Sequence, residues 1–146
     1  MAPVDTLKDV PLLSCLNQRE LKRLAKNLRE QQFSPGTTVV REGKMSGVGF
    51  FIISEGEVKV SVGGEDVGRL GPGDHFGELG LIGHHERTAT VTAVTPLTCL
   101  VMATWDLEEL VMSSPETGWK LLRHVVDLLA EERTRHSGDL KTAGAS

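Results

Sequence analysis

Between Phe33 and Met102 the chain is cut into short β-rich runs by glycine and proline turns, and this punctuation constrains the fold more than any other feature. The runs are Thr37–Val40, Val48–Ile53, Val58–Val62, Ala89–Ala93 and Thr98–Met102. Pro35-Gly36, Glu55-Gly56, Gly63-Gly64, Gly71-Pro72-Gly73 and Thr95-Pro96 separate them. Glycine reaches the backbone conformations that tight turns require, so this spacing predicts a jelly roll or barrel of short antiparallel strands. Val58, Val60 and Val62 alternate with Lys59 and Ser61, the pattern of a strand with one buried face.

On both sides of this region the apolar period becomes helical. Within residues 5–30, Asn17 and Glu20 have the spacing of a reciprocal helix cap. Leu21, Leu24, Ala25 and Leu28 follow on one face, while Arg19, Lys22, Arg23, Lys26 and Arg29 point elsewhere, as a solvated basic surface. After Met102, Thr104 is placed to cap a short helix around Asp106–Met112. Ser114-Pro115 then opens a longer helix, with proline where its missing N–H costs nothing. The expected class is α+β: a β roll with an N-terminal helical segment and two C-terminal helices. Residues 1–136 are predicted to be one domain (helical 5–30, β roll 33–102, C-terminal helices 105–136), with a disordered tail over 137–146.

The last helix carries more apolar surface than one contact needs. Trp119, Leu122, Val126 and Leu129 form one stripe, and Leu121, Val125 and Leu128 an adjacent one. Together they cover roughly 180° at 100° per residue, against about 100° for a helix lying on one surface. The excess predicts either a helix sunk deep in its own core or a second partner. A homodimer through this helix is one such partner.

Composition narrows the functions. The net charge of −4 makes the chain a poor general binder of nucleic-acid backbone, although one local arginine can still hold a phosphate. Cys15 and Cys99 lack metal-ligand spacing and read as reduced thiols of the core. No apolar run approaches the roughly 20 residues that span a bilayer, and the N-terminus lacks a signal-peptide pattern. A cytoplasmic protein without membrane attachment is expected.

The stretch Gly71–Val91 carries the chemistry. A turn leads into Phe76-Gly77-Glu78-Leu79, where exposed N–H groups beside a residue with no side chain make a natural anion cradle. Arg87 follows just before the β run, placed to close over that cradle with its planar fork. A carboxylate near an arginine can be a loop-stapling salt bridge. It can equally serve a ligand that bears both an anion and a hydroxyl. The residues alone leave both readings open.

Phe76-Gly-Glu-Leu-Gly-Leu-Ile82, four further residues and Arg87-Thr-Ala89 resemble the phosphate-binding cassette of the cyclic-nucleotide-binding domain superfamily. Pro35-Gly36, Glu42-Gly43, Phe51–Ile53 with Gly56, and Leu70–Asp74 fall where such domains place similar residues, so the resemblance spans roughly residues 7–135. It implies a non-catalytic sensor of cAMP, with cGMP as the competing ligand, and no other cofactor. It further implies that Glu78 accepts from the ribose 2′-hydroxyl and Arg87 pairs with the cyclic phosphate. Gly77, Leu79, Gly80, Thr88 and Ala89 would line the phosphate. A base cap would come from the last helix, with Val125, Leu128, Leu129 and Glu132 as candidates. The loop departs from the family in Gly80, where alanine is common, and in Gly83–Glu86, which lacks the usual proline before the arginine.

Three rivals remain. A cupin-type metalloenzyme would use His75, Glu78, His84 and His85, but no His-x-His pair precedes a glutamate and no later strand supplies a third histidine. A degenerate module would keep the fold and bind only a protein partner. A transcription regulator would need a helix-turn-helix after the last helix, and the ten or so residues remaining predict no DNA binding by this chain alone. The effector that reads the sensor is expected to be a separate, unidentified protein.

Overall fold

The computed structural model describes residues 3–43, 49–77 and 87–145, with side chains described through residue 134. It opens with helix α1 (Pro3–Lys8), a 3-10 turn (Pro11–Leu13) and helix α2 (Gln18–Ala25). The Asn17–Glu20 cap forms as read: Glu20 N–H donates to the Asn17 side-chain oxygen and Asn17 N–H to the Glu20 carboxylate, both at 2.9 Å.

The helical period predicted across 5–30 is interrupted. Pro11 has no N–H with which to continue a helix, and Arg29–Phe33 form strand β1, paired antiparallel with Leu97–Val101. Because β1 is an edge strand with four exposed residues, it shows no apolar alternation that would reveal it.

The other strands are β2 (Thr38–Val40), β3 (Phe50–Glu55), β4 (Val58–Val62), β5 (Glu65–Leu70), β6 (His75–Phe76), β7 (Thr90–Ala93) and β8 (Leu97–Met102). They form two four-stranded antiparallel sheets, ordered β1-β8-β3-β6 and β2-β7-β4-β5. The roll is therefore a sandwich of short strands between helical ends, as the turn spacing requires.

Strand β3 explains how the layers stack. Its continuous apolar run is buried on both sides, as in a sheet covered on each face. Phe50 and Ile52 point into a core with Leu7, Leu13, Leu21, Leu24, Leu107, Leu110 and Leu121 from the helices. Phe51 and Ile53 point the other way, into an inter-sheet core with Val40, Val58, Phe76, Val91, Leu97 and Cys99. Both cysteines are free thiols. Burial pushes the Cys99 thiol up to about 11, and Cys15 is half-buried.

Helices α3 (Thr104–Ser113) and α4 (Pro115–Ala145) follow. Thr104 is already helical; the Ala103 N–H is satisfied instead by the Asp106 carboxylate at 2.9 Å, one residue earlier than predicted. Pro115 begins α4 as read. The α4 backbone continues through residues 137–145, where the sequence predicted a disordered tail. Once a helix is running each added residue contributes a hydrogen bond, and no proline interrupts this one. Of the two α4 stripes only one is packed. Leu121 is buried and Val125 and Leu128 are half-buried, whereas Trp119, Leu122, Val126 and Leu129 are 57%, 53%, 56% and 65% exposed. No helix among the described residues is long and apolar enough to cross a membrane.

Candidate functional site

Gly77 and Arg87, the described ends of the segment between β6 and β7, are positioned by different strands and meet at one place. β6 pairs with β3 (Phe51 with Phe76, Ile52 with His75), and the Phe51 and Phe76 rings stack at 5.0 Å with an interplanar angle of 9°. That pairing delivers the chain to Gly77, whose φ of +84° is in the left-handed region. From the other side, the Gly43 N–H donates to the Arg87 carbonyl at 3.0 Å, and the Glu42 N–H donates to Thr90 Oγ1 at 2.9 Å. Glu42 also accepts from the Gly63 N–H at 3.1 Å, so the β2 exit is tied to the β4–β5 turn. This network sets where Arg87 enters β7.

The Arg87 guanidinium lies in the space left by the missing side chain of Gly77. It donates from Nη1 to the Gly77 carbonyl at 3.4 Å and from Nη2 to the Gly49 carbonyl at 3.2 Å. A Cβ on Gly77 would stand 2.9 Å from the Gly49 carbonyl oxygen and 3.1 Å from Arg87 Nη1. Burial holds the guanidinium pKa below its ordinary value, yet an arginine stays protonated throughout the accessible range. The result is a permanent, partly desolvated cation whose plane is set by backbone carbonyls. Such a group binds an anion more strongly than a free surface arginine does.

Of the residues predicted from sequence, Gly77 and Arg87 are brought together. Thr88 (exposed) and Ala89 (half-buried) follow Arg87 directly. Glu78, Leu79 and Gly80 lie outside the described residues, as do His84 and His85 of the metalloenzyme reading. Among the described residues no group of three or more His, Cys, Asp and Glu side chains is placed to hold a metal ion. The base-cap candidates Val125 and Leu128 are half-buried on α4, and Leu129 and Glu132 are exposed there. The first turns of α4 are anchored to the N-terminal helical segment. Lys120 Nζ donates to Glu20 at 2.6 Å, Thr117 Oγ1 donates to the same carboxylate, and His124 Nε2 lies 2.6 Å from the Pro11 carbonyl.

Gly49 escaped the sequence reading. Its φ is +99°, a Cβ there would collide with the Met102 carbonyl, and its own carbonyl orients Arg87. A glycine immediately before the run Phe50–Ile53 was the available signal.

The family model for the cyclic nucleotide-binding domain matches residues 30–114. A cAMP-dependent protein kinase regulatory subunit of Yarrowia lipolytica is 44% identical over 93 residues, 62% of this chain and 24% of that protein. A cGMP-dependent protein kinase, isozyme 1, of Drosophila melanogaster is 36% identical over 107 residues, 68% of this chain and 14% of that protein. This chain thus spans under a third of the length of either kinase relative. Among solved structures, the N-terminal domain of a transcriptional regulator from Streptomyces coelicolor A3(2) superposes with a TM-score of 0.76 at 28% identity, covering 90% of this chain and 95% of that one. With its sandwich of short strands, its helical ends and this match over more than half its length, the chain belongs to the cyclic nucleotide-binding domain family.

Proposed function

We propose that this chain is a non-catalytic cyclic-nucleotide sensor that binds cAMP through the segment between Gly77 and Arg87. Arg87 pairs with the cyclic phosphate, Glu78 accepts from the ribose 2′-hydroxyl, and Gly77, Leu79, Gly80, Thr88 and Ala89 surround the phosphate. The observation that carries this reading is the convergence of Arg87 on Gly77 and Gly49. It puts a partly desolvated, oriented guanidinium beside a glycine with positive φ.

A regulatory role is supported by the likeness to a kinase regulatory subunit. The cGMP-dependent kinase is also similar, at lower identity, which makes cGMP the competing ligand. Thr88, exposed beside Arg87, is the group that would contact a guanine amino group. Binding draws the loop onto the phosphate and shifts α4 between two positions, with Val125, Leu128, Leu129 or Glu132 over the base. The output is a population shift driven by unequal affinity for the two positions. The exposed α4 stripe then meets a second copy of the chain or an effector protein. A cytoplasmic location belongs to the same reading.

Calorimetric titration of cAMP and cGMP into the protein tests the proposal. Saturable heat with cAMP, weaker with cGMP and lost in Arg87→Ala, is expected. No heat at millimolar nucleotide would instead favour a module that keeps the fold and binds protein alone.

A further inference from the structure

Helix α2 carries a like-charge face that the fold compensates only in part. Apart from Gln18, its exposed residues are Arg19, Lys22 and Arg23, and with Lys26 just beyond its end they are cationic in a chain whose net charge is −4. Arg19/Arg23 and Lys22/Lys26 are i,i+4 neighbours, and Arg19/Lys22 and Arg23/Lys26 are i,i+3 neighbours; each is a like-charge pair that weakens a helix. The C-terminal end of the helix dipole favours Lys22, Arg23 and Lys26, but Arg19 sits in the first turn, where a cation is disfavoured. Among the described residues none of these four has an ion-pair partner. Glu20, the one acid on the helix, is already occupied by Lys120, Thr117 and the Asn17 N–H. Local conflicts of this kind are expected where function rather than stability selects the residue.

The conflict adjoins a cleft of about 570 Å³ between α2, the end of α3 and the start of α4. Arg19, Arg23 and Lys120 line it, with the Ser113 and Thr117 hydroxyls; Glu116 and Glu20 contribute opposing charge, and Glu20 is taken up by Lys120 and Thr117, which leaves Arg19 and Arg23 as the cations open to a ligand. Glu116 and Lys120 also border a second hollow of about 390 Å³, lined by the exposed Trp119 with Arg123 stacked 5.5 Å from its ring. We propose that this face docks an acidic peptide segment of a partner protein, with carboxylates on α2 and in the cleft and an apolar side chain on Trp119.

Geometry favours a peptide over other anions. Arg19 to Lys26 spans about 10 Å at 1.5 Å per helical residue, the reach of about three extended residues at 3.3 Å each. A single phosphate would engage only part of that row and would not use the indole. A nucleic acid would meet the net negative charge of the remaining surface. The proposal stands independently of the nucleotide reading.

The test is fluorescence anisotropy with a fluorescein-labelled peptide of glutamates around one leucine, on the full chain without nucleotide. Saturable binding is expected, weakening about tenfold between low and high salt. Arg19→Glu and Arg23→Glu should each weaken it about tenfold. Lys59→Glu, the same charge change on β4, should leave it within about twofold. Arg19→Glu should also keep or raise Tm, because it removes like-charge contacts and suits the helix dipole; weaker binding with intact stability separates docking from folding. Trp119→Ala should weaken the leucine-containing peptide and spare an all-glutamate one. Equal losses in all three charge variants, no binding at millimolar peptide, or tighter binding of pyrophosphate or a single-stranded oligonucleotide would overturn the proposal.

Discussion

Arg87 Nη1 rests 3.4 Å from the Gly77 carbonyl, in the volume that any side chain at position 77 would claim. Gly77→Ala therefore combines two costs: a residue with Cβ held at φ +84°, and contacts of 2.9 Å with a backbone oxygen and 3.1 Å with the guanidinium. A loss of about 1–3 kcal/mol is expected from the backbone conformation alone. Thermal unfolding should show a lower Tm. Nucleotide affinity should fall further than stability does, because the guanidinium has to move.

Removing the cation itself separates site from scaffold. Arg87→Ala deletes a partly buried charge-assisted contact, so cAMP affinity should fall by about 2–4 kcal/mol, roughly 30- to 1,000-fold. Arg87→Lys keeps the charge but loses the planar fork, and an intermediate loss is expected. Calorimetry on both variants measures this, and unchanged affinity in Arg87→Ala would defeat the assignment.

The fold was legible where side chains alternate against a core and illegible where they do not. The run read as Val48–Ile53 overlaps β3 (Phe50–Glu55), and Val58–Val62 matches β4 residue for residue. β5 pairs only with β4 and is almost wholly exposed, and β6 has just two residues, so neither leaves a periodic signal. The charged face of α2 ran into β1 without a break in composition, which hid the strand start at Arg29. At the site, Gly77 and Arg87 were legible as a spaced pair. The part played by Gly49 was not, because it depends on three-dimensional proximity between a turn and a distant arginine.

β3 predicts two different responses to truncation at positions three residues apart on one strand. Phe50→Ala opens a cavity against the helices and Ile53→Ala one between the sheets. Both residues are fully buried, and losses of about 3–5 and 2–5 kcal/mol are expected. Chemical denaturation measures both. Hydrogen exchange should show that Phe50→Ala loosens α1 and α2 first, whereas Ile53→Ala loosens β4 and β7.

Glu20 links α2 to α4 with a defined pH signature. Burial pushes its carboxyl up, but hydrogen bonds from Lys120, Thr117 and the Asn17 N–H, with the Lys120 charge, outweigh this and hold it below the usual carboxylate range. A folded pKa below the unfolded value contributes stability that is complete above that unfolded value, about 4.3. It is lost as pH falls through the folded pKa. Lys120 is 39% exposed, which screens the pair, so Glu20→Gln should cost only about 1–2 kcal/mol at neutral pH. Stabilities of the two proteins should converge as the pH falls from the usual carboxylate range toward strong acid. A constant gap down to pH 2 would show that the carboxylate charge is not what ties the helices.

The uncovered stripe on α4 makes the last prediction. Trp119, Leu122, Val126 and Leu129 recur at intervals of three, four and three residues, the seam spacing of a two-helix coiled coil, and all four are more than half exposed. Of the positions flanking that seam, Gly118, Val125 and Ala130 are uncharged, and Arg123 and Glu132 carry opposite charges. In the reading proposed above, a second copy of the chain covers the aliphatic row Leu122, Val126 and Leu129, leaving the Trp119 indole at the end of the stripe to the acidic peptide. Light scattering after gel filtration should give close to twice the 15.8 kDa chain mass at high concentration. Leu122→Glu and Val126→Glu place a charge in the seam and should each return the protein to the monomer. Both side chains are already solvent-facing in the isolated chain, so Tm at low concentration should stay unchanged. A parent protein that remains monomeric at every concentration, with and without cAMP, would assign the stripe to a different partner.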